Sequence, residues 1–69
     1  MSTEYRIVLY FSDNFSYAMR YTQEINRDNH FDFIKTELLN STKDDNKFLH
    51  FDDALIDLKK ISFMRKEEE

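Results

Sequence analysis

Arg6, Arg20 and Tyr10 are the residues whose types and spacing come nearest to a binding chemistry in this chain. Two guanidinium groups beside a tyrosine make a seat for a carboxylate, a phosphate or an acidic protein surface, because guanidinium binds such anions through paired hydrogen bonds. The competing reading is ordinary: both arginines lie in water or pair with Glu4, Thr22 or Glu24, as surface charges usually do. His30 and His50 have neither a metal-ligand spacing nor a serine arranged for nucleophilic attack. His30 reads as a helix-start residue and His50 as an outward strand residue opposite Leu55. Asp44-Asp45 and Asp52-Asp53, with Asp57, carry the oxygen donors a divalent cation needs, but acidic pairs in loops are far more often turn formers. The expectation is therefore a protein with no catalytic residue, no cofactor and no metal.

The arginines and the tyrosine are positioned by a β-hairpin whose register follows from side-chain alternation. In Tyr5–Phe11 and again in Phe15–Tyr21 the bulkiest apolar residues fall at odd positions. A two-residue turn at Asp13-Asn14 would set each strand's apolar face against the other's polar one, so that register fails. A three-residue loop, Ser12-Asp13-Asn14, pairs Phe11 with Phe15, Leu9 with Tyr17, Ile7 with Met19 and Tyr5 with Tyr21. Such loops end in a left-handed residue, which Asn14 tolerates. The opposite face then carries Tyr10 across from Ser16, Val8 across from Ala18, and Arg6 directly across from Arg20, two like charges that repel.

Farther along, Gln23 to Asn29 is polar and reads as the exit from the sheet and the cap of a helix. From His30 to Asn40 the residues Phe31, Ile34, Leu38 and Leu39 form one helical stripe, with Asp32 and Glu37 outside it and Phe33 off its edge. Ser41 to Asn46 reads as a polar loop. Lys47 to Phe51 reads as a third strand and Asp52-Asp53 as a two-residue turn that sets Phe51 against Ala54 and Leu49 against Ile56. Beyond Leu58 the alternation changes phase, which requires a β-bulge or a second turn at Lys59-Lys60 pairing Leu58 with Ile61 and Ile56 with Phe63. Arg65 to Glu69 is a charge run with nothing to bury and is expected to fray.

These elements predict a small two-layer α+β domain over residues 1–64, ordered β-β-α-β-β with room for a fifth short strand, in which one helix packs on an antiparallel sheet. Its expected core is Ile7, Leu9, Phe11, Phe15, Tyr17, Met19, Phe31, Ile34, Leu38, Leu49, Ile56, Ile61 and Phe63. Tyr10, Phe33 and Phe48 are expected near the surface.

Sixty-nine residues leave room for one domain, near the lower limit for folding without staples. The chain has no cysteine, hence no disulfide framework and no thiolate chemistry, which points to a reducing, cytoplasmic setting. Its longest apolar run is far short of a membrane span, and the N-terminus has no signal-peptide pattern. Without glycine there is no Gly-rich phosphate loop and no dinucleotide fingerprint. The excess of Phe, Ile, Lys, Asn, Asp and Tyr over Gly, Pro and Ala is that of an AT-rich coding sequence, a pointer to a low-GC bacterium or to one of its phages or mobile elements. The net charge is −4, and both halves are acidic, with three basic and four acidic residues in 1–29 and seven and ten in 30–69. An acidic chain with no lysine or arginine stripe is a poor nucleic-acid binder, because phosphate neutralisation supplies most of that affinity.

The resulting expectation is a small interaction module that binds and modulates another protein, a phage or mobile-element inhibitor of a host protein in its sharpest form. Arg6, Val8, Tyr10 and Arg20 form the expected contact face, and Asp44, Asp45, Asp52 and Asp53 form a second, acidic surface. The alternative is a homodimer formed through the open sheet face or an edge strand.

Overall fold

The computed structural model describes residues 3–40 and 47–69 and contains five strands and one helix in the order β-β-α-β-β-β. β1 (Tyr5–Phe11) and β2 (Ser16–Tyr21) form the expected hairpin, with Arg6 opposite Arg20, Val8 opposite Ala18 and Tyr10 opposite Ser16. Its loop closes as the alternation requires: Phe11 N–H donates to the Phe15 carbonyl at 2.8 Å, and Asn14 N–H to the Phe11 carbonyl at 3.1 Å. Asn14 is left-handed, with φ 72°.

Helix α1 (Glu24–Asn40) begins earlier than the apolar stripe suggests. The segment expected to exit the sheet and cap the helix forms its opening turns instead: Arg27 N–H donates to the Gln23 carbonyl at 3.2 Å, and the Asn26 amide to Gln23 Oε1 at 3.3 Å. Glu24 then places a carboxylate in the first turn, where the helix dipole favours it. His30 accordingly lies inside the helix and not at its start.

β3 (Phe48–Phe51) and β4 (Ala54–Asp57) pair as a second, two-stranded sheet in the expected register, Leu49 opposite Ile56 and His50 opposite Leu55. Asp52, at φ 54°, supplies the left-handed turn residue. The chain does not fold back on β4 at Lys59-Lys60. A single 3-10 turn, Leu58–Lys60, is capped by Asp57, whose carboxylate accepts from Lys59 N–H at 3.0 Å. That turn delivers β5 (Ile61–Glu68) to the free edge of β1, completing an antiparallel sheet ordered β2-β1-β5.

Two expectations are thereby corrected. The charge run from Arg65 onward is a paired strand, not a frayed tail, running antiparallel to β1 as far as Tyr5 opposite Glu68; Glu4 and Glu69 then exchange backbone hydrogen bonds of 3.1 and 3.0 Å. Ile61 and Phe63 do not share a face, because Ser62 is an extra residue between the pairs Phe11–Ile61 and Tyr10–Phe63. This bulge turns Phe63 outward, where it is 55% exposed. Phe15, another expected core residue, sits at the loop end of the edge strand and is 70% exposed.

The core gathers Ile7, Leu9 and Met19 from the inner face of the three-stranded sheet, Ile34 from α1, and Ile56 and Leu58 from the second hairpin and its 3-10 turn. Phe11, Tyr17, Phe31, Leu38, Leu49 and Ile61 pack around it. The helix and the second hairpin thus bury one face of the three-stranded sheet. The face that carries Arg6, Val8 and Tyr10 looks the other way.

Candidate functional site

β1 projects Arg6, Val8 and Tyr10 onto that open face, β2 adds Ser16, Ala18 and Arg20, and β5 adds Phe63, Arg65 and Glu67. At one end Tyr10 stacks on Phe63, with ring centroids 4.3 Å apart and planes inclined by 10°. The Arg65 guanidinium lies 5.7 Å from the Tyr10 centroid, a cation–π contact, and its Nε donates to Glu67 Oε2 at 2.9 Å. That hydrogen bond, followed by the negative potential of Tyr10 and Glu67, holds the Arg65 pKa above its ordinary value.

At the other end lie the two opposed arginines. Glu4 bridges them, 3.9 Å from Arg6 and 3.3 Å from Arg20. Glu67 and Glu69 approach the Arg6 guanidinium at 3.5 and 3.2 Å. The two guanidinium groups lie together as the register requires, and the chain's own carboxylates pair with them. Arg6 Nε is buried without a hydrogen-bond partner, so this guanidinium is held by charge more than by fitted hydrogen bonds. Val8, between Ala18 and Arg65 in the register, is 9% exposed and offers little contact area. Arg20, whose side chain is 70% exposed, and the Tyr10–Phe63–Arg65 group are the accessible parts of the face.

Phe63 and Arg65 are the members that sequence reasoning missed. Their signal is the alternation Phe63-x-Arg65-x-Glu67, legible only once β5 is known to pair with β1.

The second surface divides. Asp44 and Asp45 lie outside the described residues, as does the expected loop 41–46. Asp52 and Asp53 are exposed in the β3–β4 turn, where Asp52 takes the left-handed position, and Asp57 caps the 3-10 turn. Among the described residues no group of three or more His, Asp or Glu side chains comes together to hold a metal ion. No described helix is long and apolar enough to cross a membrane.

His50 is exposed on β3, whereas His30 meets the Tyr21 hydroxyl through Nδ1 and packs against Phe51, ring centroids 5.8 Å apart. Burial lowers the His30 pKa below the ordinary 6.5, and it pushes Tyr21 from 10.0 up to about 12, with Tyr17 adding to the effect. Both groups are neutral joints between β2, α1 and β3. A cleft of about 240 Å³ lies between α1 and β3, bounded by Phe33, Phe48 and the Glu37–Lys47 ion pair at 3.0 Å. Phe33 and Phe48 are exposed, as expected.

Comparison with protein-family models, with curated proteins and with solved structures gave no match.

Proposed function

We propose that this chain is a non-enzymatic protein-interaction module whose contact surface is the open face of the three-stranded sheet. The observation that carries the reading is the stacked Tyr10–Phe63 pair under Arg65, an aromatic and arginine group on the face that neither the helix nor the second hairpin covers. Aromatic residues and arginine are the types enriched at binding hot spots: aromatics bury large area with little loss of side-chain freedom, and arginine presents a planar fork of donors to carboxylates. The partner that fits is a protein surface with an apolar patch to meet Phe63 and carboxylates to meet Arg65 and Arg20. The AT-rich residue choice makes an inhibitor carried by a phage or mobile element, acting on a host protein, the sharpest form of this proposal.

A charge reversal at Arg6 is the wrong test, since it would crowd a fourth carboxylate against Glu4, Glu67 and Glu69. Phe63→Ser combined with Arg65→Ser removes the accessible group and leaves that cluster in place. A tagged pull-down from a low-GC bacterial lysate, read by mass spectrometry, should recover a stoichiometric protein with the wild type. The double variant, still folded by circular dichroism, should bind that protein at least about tenfold more weakly. Undiminished binding would remove the open face as the contact surface.

A further inference from the structure

We propose that β2 is a self-pairing edge: two copies of this chain join β2 to β2 antiparallel about a two-fold axis at Ala18, making one six-stranded sheet from two three-stranded ones. This goes beyond the reading of the open face and does not depend on it.

The first argument is the direction of the free hydrogen-bonding groups. Phe11 N–H bonds the Phe15 carbonyl, so by antiparallel alternation Tyr17, Met19 and Tyr21 bond β1. The N–H and C=O groups of Ser16, Ala18 and Arg20 therefore point away from the sheet. β2 ends the strand order, and its register against β1 runs unbroken from Ser16 to Tyr21.

The second argument is the contrast between the two outer edges. Natural sheets protect edges with charge, with bulges or with covering elements. β5 has the first two: the bulge at Ser62 and the run Arg65, Lys66, Glu67, Glu68. β2 has no bulge and no proline, presents Ser16 and Ala18, and carries the single charge of Arg20, already neutralised by Glu4 at 3.3 Å.

The third argument is self-complementarity. With Ala18 on the axis, Ala18 meets Ala18 of the second copy, and Arg20 meets Ser16 of the second copy, so no like charges are opposed. The ladder supplies about six hydrogen bonds. On the inner face Tyr17 meets Met19 of the second copy. Phe15 meets Tyr21 of the second copy, an aromatic cross-strand pair that would cover a phenyl ring now 70% exposed.

Sedimentation of the full chain from micromolar to millimolar concentration tests the proposal. The wild type should double its mass. Ala18→Pro removes a donor that the internal sheet does not use, so it should stay folded and weaken the dimer at least about tenfold. Ala18→Lys and Ala18→Glu guard against a proline that prevents folding: each alone should be a monomer, because like charges then oppose across the axis, and an equimolar mixture should restore the dimer. A wild type that stays monomeric at millimolar concentration overturns the proposal, including the case where it adds an extended peptide of another protein to β2. So does a dimer indifferent to residue 18, or a Lys/Glu mixture that stays monomeric. Phe63→Ser with Arg65→Ser should leave this dimer intact, so the edge and the open face stand or fall separately.

Discussion

Arg27 does most of the work that a hydrophobic residue would be expected to do. It is 5% exposed in the second turn of α1, with its guanidinium 5.2 Å from the Tyr5 ring centroid. Its Nε donates to Asp28 at 2.9 Å and one terminal nitrogen to the Glu67 carbonyl at 2.9 Å, tying helix to last strand. Asp28 also pairs with Lys66 at 3.4 Å. Partial desolvation pushes the Asp28 carboxyl up, but the Arg27 hydrogen bond and the Lys66 and Arg27 charges together hold it below the ordinary carboxylate value. Arg27→Ala would remove two charged hydrogen bonds and a cation–π contact from a buried position, at a cost of about 1.5–3 kcal/mol, the worth of hydrogen bonds to a charged group. Chemical denaturation should show that loss, whereas Arg20→Ala, at an exposed ion pair, should change stability by less than about 1 kcal/mol. The sequence did carry a trace of this role: Arg27, Phe31 and Ile34 sit at i, i+4 and i+7 on one stripe. Its charge hid it, because periodicity is read from apolar residues. The opposition of Arg6 and Arg20 was legible by contrast, and so was Glu4 as their partner; Glu67 and Glu69 were not, since they come from the far end of the chain.

At the level of elements, what could be read was whatever depends on neighbours in sequence. The first hairpin needed only alternation and one residue able to take positive φ, and the second needed only matched apolar faces around Asp52-Asp53. Asn14→Ala should therefore cost up to about 1 kcal/mol, because alanine lacks the local polar contacts that let asparagine tolerate the left-handed region, and Asn14→Gly, which has no Cβ there, should be neutral or stabilising. Equal stability of the two variants in thermal unfolding would show that the loop tolerates another conformation. β5 escaped because its partner is about fifty to sixty residues distant and its later side chains are charged, a composition that reads as a solvated tail. The phase change after Leu58 was visible, but its resolution needed two devices, the Asp57-capped 3-10 turn and the Ser62 bulge. The helix start was misplaced because polar opening turns look like a loop when no apolar stripe marks them.

Across the whole molecule, the three-stranded sheet, the helix and the second hairpin meet at Tyr21, His30 and Phe51. His30 has a folded pKa below 6.5, so the fold favours its neutral form; its contribution is full above pH 6.5 and is lost as the pH falls through the lowered folded value. Tyr21 has the opposite sign: raised from 10.0 to about 12, it contributes fully below pH 10.0 and loses that contribution as the pH climbs to about 12. Thermal unfolding across pH should show both limbs. His30→Gln should flatten the limb just below pH 6.5, and Tyr21→Phe the alkaline one. An acid limb unchanged in His30→Gln would assign it to the carboxylates. The order of strands in the main sheet also sets a schedule. β1 is made first and lies in the centre, with β2 available at once, but its other side waits for residues 61–68. During translation the first hairpin stands complete with one flank of β1 unpaired while the helix and second hairpin emerge, and only the last strand closes it. Non-local closure of this kind is slow relative to hairpin formation, so the nascent chain passes through an interval in which β1 is open to foreign strands.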